Sequence, residues 1–259
     1  MRGELDFYEP TVFPHGKGSI FSQICFATRA VELKLENANN LALALIFYTT
    51  ICRGKNEIRI PHYGQDEKKW HKLVDDPDKL TNNVGEITEM VWQSYIAANE
   101  PYQPLNNNEF TRGSYIYRMV NNRVVFHANP HRCSHEYSRV NQSSRFQDLK
   151  ELTEEIKKRV KGKSVEVLKM SWMNNLPCIR EVFPKEFVAS GRKVSPDFRS
   201  DSIWGQLMDN EGRAKPNIVE PLVEKIRRAR SIEGLSKVFP LPTILLRGNT
   251  KMFYDWYGI

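Results

Sequence analysis

The chain has 259 residues, of which 40% are hydrophobic and 27% are charged, and this composition excludes global disorder. Such a length allows one large core or two smaller ones. An excess of 38 lysines and arginines over 31 aspartates and glutamates gives a net charge of +7, which favours a polyanionic partner. No apolar run reaches the ~18 residues of a membrane span and the first residues lack a signal-peptide pattern, so we expect a cytosolic protein with no membrane span.

Residues 1–17 show neither helical nor alternating spacing of apolar residues, and they predict an extended arm. The arm needs a surface for its apolar side chains, which are Phe7, Tyr8, Val12 and Phe13. That surface is either the core of the same chain or a neighbouring subunit.

Two helices are predicted at residues 19–36 and 40–52. The second is apolar on almost every face and begins at Asn40, a residue type suited to capping. Three basic residues follow its expected end, namely Arg53, Lys55 and Arg59. They are either the cations that a helix C-terminus favours or part of a binding surface.

Another helix is predicted at residues 85–98. After it, the stretch "NNNEFTRGSYIYRMVNNRVVF" sets Arg112, Arg118 and Arg123 among apolar residues. Its alternation is typical of a hairpin with Asn121 and Asn122 as a two-residue turn. The basic side chains form either a solvated face or a surface that holds a ligand.

The densest group of metal-capable residues is His127, His131, Cys133 and His135. Pro130 opposes a regular helix there, and the spacing matches no zinc module, so a polar loop is the simpler interpretation. No nucleophile elbow, phosphate-binding glycine loop or dinucleotide fingerprint occurs. We therefore expect no enzyme and no cofactor, and a metal-dependent enzyme that uses this cluster is the alternative.

The second half predicts a helix that begins near Ser144 and ends at Gly162, and a strand or buried helix over 164–173. Arg192 and Lys193 lie in a further basic stretch. A helix over about 217–230 is predicted, with Pro221 in its first turn or delaying its start. Met252, Phe253, Trp256 and Tyr257 have helical spacing and need a surface to dock on.

Several strings resemble segments of nucleoproteins of the orthobunyavirus type, which coat the RNA of segmented negative-strand viruses. They are "LALALIFYTTICRGK", "PLNNNEFTRGSYIYRMV", "VFPKEFVASGRK", "LDFYEP" and "TKMFYDWYGI". They follow the family's order along the chain, while residues 121–170 match least. The resemblance favours a helix, not a hairpin, for "NEFTRGSYIYRMV".

The resemblance implies a mainly α fold with two helical lobes and a positively charged groove between them that binds single-stranded RNA without sequence specificity. The implied regions are an N-terminal arm at 1–17, lobes at 18–125 and 126–240, and a C-terminal arm at 241–259. The implied RNA-binding residues are Arg53, Lys55, Arg59, Arg112, Arg118, Arg192 and Lys193. The apolar residues of both arms would then mediate homo-oligomerisation, and the protein would coat a genome in the virion and host cytoplasm, with a viral polymerase as a further partner. A basic, matrix-like scaffold protein is a further alternative.

Overall fold

The computed structural model describes residues 17–51, 67–76, 79–97, 109–128, 142–199, 201–208 and 214–259. The chain forms two compact units, each built from two stretches of sequence. The helical unit comprises Met1–Pro101 and Pro196–Pro240, and the sheet unit comprises Tyr102–Ser195 and Leu241–Ile259. This division differs from the two predicted lobes because the chain returns to the helical unit after most of the sheet unit and then ends in the sheet unit.

The helical unit contains seven α-helices and one short 3₁₀-helix, Gly205–Leu207, within the described ranges. The α-helices are α1 (Lys17–Glu32), α2 (Leu41–Tyr48), α3 (Glu67–Val74), α4 (Leu80–Ala97), α8 (Asp201–Trp204), α9 (Pro216–Arg228) and α10 (Ile232–Ser236). As predicted, Asn40 caps α2, because its side chain accepts a hydrogen bond from the backbone N–H of Leu43 at 2.9 Å.

The core of the helical unit is centred on α1, which is buried along most of its length. Phe26 is fully buried, and its ring packs against those of Phe198, Trp204 and Phe239. Pro221 was predicted to lie in the first turn of its helix or to delay the helix start, but it lies inside α9, which begins at Pro216. It is exposed, so its ring projects from the solvent side while Leu222, Val223 and Ile226 face the core.

Six strands of the sheet unit form one mixed sheet in the order β1-β2-β3-β4-β6-β5. Among the described strands, only the β3–β4 pair is parallel. The strands are β1 (Glu109–Arg112), β2 (Tyr115–Val120), β3 (Arg123–Ala128), β4 (Glu166–Ser171), β5 (Arg192–Val194) and β6 (Thr243–Asn249). The prediction of a mainly α fold with two helical lobes is therefore wrong.

The predicted helix at "NEFTRGSYIYRMV" is wrong for a local reason. Tyr115 and Tyr117 are both fully buried, and this two-residue period fits a strand but would place the two rings on different sides of a helix. Asn121 and Asn122 have φ values of +48° and +61°, the left-handed pair that a type I′ hairpin turn requires. The alternation in the sequence indicated this hairpin, and the family resemblance pointed away from it.

Five helical segments accompany the sheet: α5 (Gln142–Arg159), α6 (Pro177–Arg180), α7 (Lys185–Ala189), α11 (Thr250–Tyr257) and a 3₁₀-helix, Trp172–Asn175. Their apolar side chains share one hydrophobic cluster with Tyr115, Tyr117, Val124 and Phe126 of the sheet. In the part of the chain that the structure describes, no helix is both long and apolar enough to cross a membrane.

The C-terminal helix α11 is part of this core. Phe253 is 1% exposed, and its ring lies 5.5 Å from that of Phe126 and 4.9 Å from that of Phe187, centroid to centroid. Tyr257 donates a hydrogen bond to the carbonyl oxygen of Val182 at 2.7 Å. The apolar side of this terminal helix is thus covered by the chain's own sheet unit.

Candidate nucleic-acid interface

The two faces of the sheet differ in what they carry. Side chains alternate between faces along each strand, and Tyr115, Tyr117, Val124, Phe126, Val167 and Leu246 point into the cluster shared with the helices. Four arginines point to the opposite face, which we call the arginine face. They are Arg118 on β2, Arg123 on β3, Arg192 on β5 and Arg247 on β6.

Strand register fixes the spacing of these arginines. Glu109 pairs with Arg118, Arg118 with Val125, Val125 with Leu168, and Leu168 with Arg247, so one row crosses five strands and contains two arginines. Adjacent strands lie about 4.8 Å apart, which puts the two arginines of the row, three strands from each other, about 14 Å apart. Arg192 pairs with Leu245 in the neighbouring row. The arginine face therefore presents guanidinium groups across most of the sheet.

Two strand positions of this face are glutamates: Glu109 of β1 pairs in register with Arg118, and Glu166 of β4 contacts two other arginines. Glu166 of β4 accepts from Nε of Arg123 at 2.7 Å and also forms an ion pair with Arg247. Its side chain is 20% exposed, whereas those of Arg123 and Arg247 are 54% and 63% exposed. Glu166 thus holds two arginines in place from the strand between them, and it neutralises only part of their charge.

Apolar side chains fill the positions between the arginines. Val125, Leu168 and Leu245 are partly exposed, and Met170 and Val120 are 40% and 44% exposed. The arginine face is therefore a mixed surface, with cations separated by apolar side chains that solvent reaches.

The tyrosines of β2 belong to the other face. Tyr115 and Tyr117 are each 0% exposed, and burial raises the pKa of Tyr117 to about 12. Phe110 stacks on Tyr117 at 5.0 Å between centroids. Both tyrosines are therefore core residues and cannot stack on the base of a bound nucleotide.

The predicted RNA-binding residues fall into three groups. Arg118 and Arg192 lie on the arginine face, whereas Arg112 and Lys193 point to the other side of the sheet, since their cross-strand partners are Tyr115 and Ile244. Nε of Arg112 lies 3.5 Å from a carboxylate oxygen of Glu151 on α5. The third group is outside the described residues and consists of Arg53, Lys55 and Arg59.

The other predicted sites are described only in part. His127 lies on the arginine face at the end of β3, while His131, Cys133 and His135 fall outside the described residues. Of the apolar arm residues, Phe7, Tyr8, Val12 and Phe13 also fall outside them. Met252, Phe253, Trp256 and Tyr257 all lie on α11 and pack in the cluster of the sheet unit.

Two arginines of the face were not among the predicted site residues. Arg123 could have been found, because a two-residue turn at Asn121 and Asn122 puts it on the same face as Arg118. Arg247 is brought to β4 by a pairing between strands far apart in the sequence, and no local pattern indicates that pairing.

Comparisons of the chain with protein-family models, with curated proteins and with solved structures found no match.

Proposed function

We propose that this protein binds single-stranded RNA without sequence preference, and that the arginine face of the sheet unit is the binding surface. The observation that supports this proposal is the placement of Arg118, Arg123, Arg192 and Arg247 on one sheet face, where two strand positions, 109 and 166, are glutamates. Among the strand positions of this face, four arginines against two glutamates leave a local charge of +2 with histidine counted as neutral.

Phosphate contacts account for the lack of sequence preference. A guanidinium group can bind a phosphate through two parallel N–H···O bonds, and the phosphates are the same in every nucleotide. Each phosphate that an arginine neutralises releases a counterion, so affinity falls with salt. Rows of side chains on one strand face repeat about every 6.6 Å, a spacing close to that of successive phosphates in an extended strand.

The apolar part of the face favours a single strand over a duplex. Val125, Leu168 and Met170 lie between the arginines and are at least partly exposed. Bases that are not paired can cover such side chains, whereas a duplex keeps its bases stacked inside. Glu166 competes with the RNA for Arg123 and Arg247, and it thereby limits affinity.

The genome-coating role is a narrower proposal that rests on the resemblance to orthobunyavirus nucleoproteins. The implied mainly α fold is not the fold found, and α11 is covered within its own unit. Self-association, a polymerase partner and a location in the virion and host cytoplasm therefore draw no support from the described residues. The proposal for RNA binding is independent of them, because it depends on the arginine face alone.

Fluorescence anisotropy with labelled single-stranded RNAs of about 12 nucleotides and unrelated sequence tests the proposal. The variant Arg118→Gln, Arg123→Gln, Arg247→Gln should bind every sequence at least ~10-fold more weakly than the wild type, and the salt slope should become shallower. Circular dichroism checks that the variant is folded.

The matched control removes the same charge elsewhere in the sheet unit. Lys158, Lys161 and Lys163 are exposed at and just beyond the end of α5, where they form another basic group. The control Lys158→Gln, Lys161→Gln, Lys163→Gln should retain affinity within about threefold, the effect of net charge alone. Equal losses in both variants, or a loss confined to one RNA sequence, would contradict the proposal.

A further inference from the structure

Lysines are concentrated where the end of α5 meets the start of α11. The segment "KKRVKGK", residues 157–163, carries five cations in seven positions, and one more lysine lies at the start of α11. We call Lys158, Lys161, Lys163 and Lys251 the lysine patch. All four side chains are exposed, and none of them forms an ion pair with a carboxylate of the described residues. The patch is therefore a positive surface that the protein itself does not neutralise.

Backbone hydrogen bonds bring the two parts of the patch together. Lys161 and Gly162 have φ values of +52° and +70°, and in this turn the N–H of Gly162 donates back to the last turn of α5 at 2.9 Å. The hydroxyl of Thr250 donates to the carbonyl oxygen of Lys163 at 3.2 Å, which places Lys163 beside the residue that precedes Lys251. The four lysines thus share one region of the surface, although they come from distant parts of the sequence.

Helix dipoles account for only part of this charge. Lys158 lies in the last turn of α5, where a cation is favourable. Lys161 and Lys163 come after the end of that helix. Lys251 lies in the first turn of α11, where the dipole makes a cation unfavourable. The dipoles therefore leave most of the patch unexplained, and its cations need anions from a partner.

The chemistry of the patch favours a diffuse anionic surface over a nucleic acid. A lysine is a compact charge and lacks the paired N–H groups with which an arginine holds one phosphate. The ring of Tyr254 is 8% exposed and lies beneath Lys157, whose Nζ is 5.3 Å from the ring centroid, so that ring cannot stack on a base. An anionic bilayer needs neither feature, since it attracts each nearby lysine through its surface potential.

We propose that the lysine patch binds the surface of a membrane that contains anionic lipids. Helices α5 and α11 pack on the sheet face that carries Tyr117 and Phe126, opposite to the arginine face. A bilayer at the lysine patch and RNA at the arginine face therefore use different sides of the sheet unit. The membrane contact is electrostatic and peripheral, and it does not depend on RNA binding.

Flotation of the full chain with lipid vesicles in a density gradient tests the patch. At low salt, the protein should float with vesicles of phosphatidylcholine that contain about 30% phosphatidylserine, and it should not float with phosphatidylcholine alone. Binding should weaken as salt is added, because ions screen exposed charges.

The two triple variants of the RNA measurement locate the contact with their roles exchanged. The lysine variant should bind the anionic vesicles at least ~10-fold more weakly than the wild type. The arginine variant loses the same charge and should stay within about threefold of the wild type. Lys251→Gln should weaken binding roughly fivefold, whereas Lys251→Arg keeps the charge and should bind as the wild type does. Circular dichroism checks that each variant is folded.

Four results would overturn the proposal. They are equal binding to neutral and anionic vesicles, equal losses in the two triple variants, a loss in Lys251→Arg as large as that in Lys251→Gln, and a loss of RNA affinity in the lysine variant as large as its loss of vesicle binding. The last result would make the patch a nucleic-acid surface.

Discussion

The two units differ in the polar side chains that they bury. In the helical unit, the buried polar side chains of the described residues are neutral, such as Ser22, Gln23 and Thr88. The sheet unit buries two cationic side chains, Arg145 at 0% and Lys169 at 1% exposure. Lys169 lies 5.7 Å above the ring of Phe183, measured from Nζ to the centroid. Helices form their backbone hydrogen bonds between residues close in sequence. The sheet instead joins strands that are distant in sequence, with an aromatic core on one face and arginines on the other.

This difference explains what the sequence could predict. Helix α2 was expected from a capping Asn and an apolar run, and α4 and α11 from apolar side chains at helical spacing; the structure confirms all three as helices. Helix α2 ends four residues earlier and α4 begins five residues earlier than expected. The strand at β4 was left open, because its short apolar run has no distinguishing period. The pairing of β4 with β6 was not predictable, since about seventy residues lie between them and register depends on the folded core.

The sequence predicted the arginine face only in part. Arg118 was named because it lies in a local basic stretch, and Arg192 because of its neighbours in sequence. Their common face depends on β6, which connects β5 to β4. The sequence indicated basic residues, and the long-range strand order decided which of them share a surface.

The largest expected effects test the separation of the two cores. Phe26→Ala and Phe253→Ala each remove a fully buried ring and should lower the free energy of unfolding by about 3–5 kcal/mol. Hydrogen exchange should show the first loss of protection in the helical unit for Phe26→Ala and in the sheet unit for Phe253→Ala. Asp255→Ala, an exposed neighbour on α11, should change stability by less than ~0.5 kcal/mol. Normal protection of β3 in Phe253→Ala would show that α11 is not part of the sheet core.

Substitutions in the hairpin turn should change the free energy of unfolding by a smaller amount, and one should destabilise the protein while the other does not. Asn121→Val places a β-branched residue at φ +48° and should destabilise the protein by about 1–2 kcal/mol. Asn122→Gly relieves the cost of φ +61° and should be neutral or stabilising by up to ~1 kcal/mol. Urea unfolding measures both, and equal destabilisation by the two substitutions would be inconsistent with a type I′ turn.

Alkaline pH should lower the stability of the helical unit, because the thiol of Cys25 ionises more readily in the unfolded state. Burial raises the pKa of its thiol from 9.0 to about 12, so the folded state favours the neutral form and the unfolded state ionises first. The stability that Cys25 contributes is therefore complete below pH 9 and is lost as pH rises from 9 toward 12, at up to ~1.4 kcal/mol per pH unit. Cys25→Ala should flatten the decline of stability in this range, measured by urea unfolding at several pH values. An identical decline in both proteins would place the thiol in contact with solvent.

Thr28→Val gives the smallest effect, and it should be stabilising. The substitution removes a buried hydroxyl that has no partner and preserves the shape of the side chain. We expect the free energy of unfolding to rise by about 1 kcal/mol. Thermal unfolding measures it, with Thr88→Val as the matched control, since the Thr88 hydroxyl donates to the carbonyl oxygen of Val84 at 2.7 Å. A loss of stability in Thr28→Val equal to that in Thr88→Val would show that the Thr28 hydroxyl is bonded.

The affinity of Glu166→Gln for single-stranded RNA tests the account of the arginine face most directly. The substitution removes the carboxylate that pairs with both Arg123 and Arg247, and it raises the local charge of the face by one unit. A substitution that unfolds part of the protein lowers the measured affinity for RNA. An increase in affinity therefore cannot result from misfolding. Anisotropy titrations at fixed salt should show RNA bound about 3- to 10-fold more tightly than by the wild type, equally for unrelated sequences. Unchanged or weaker binding by a folded Glu166→Gln protein would contradict the assignment of RNA to this face.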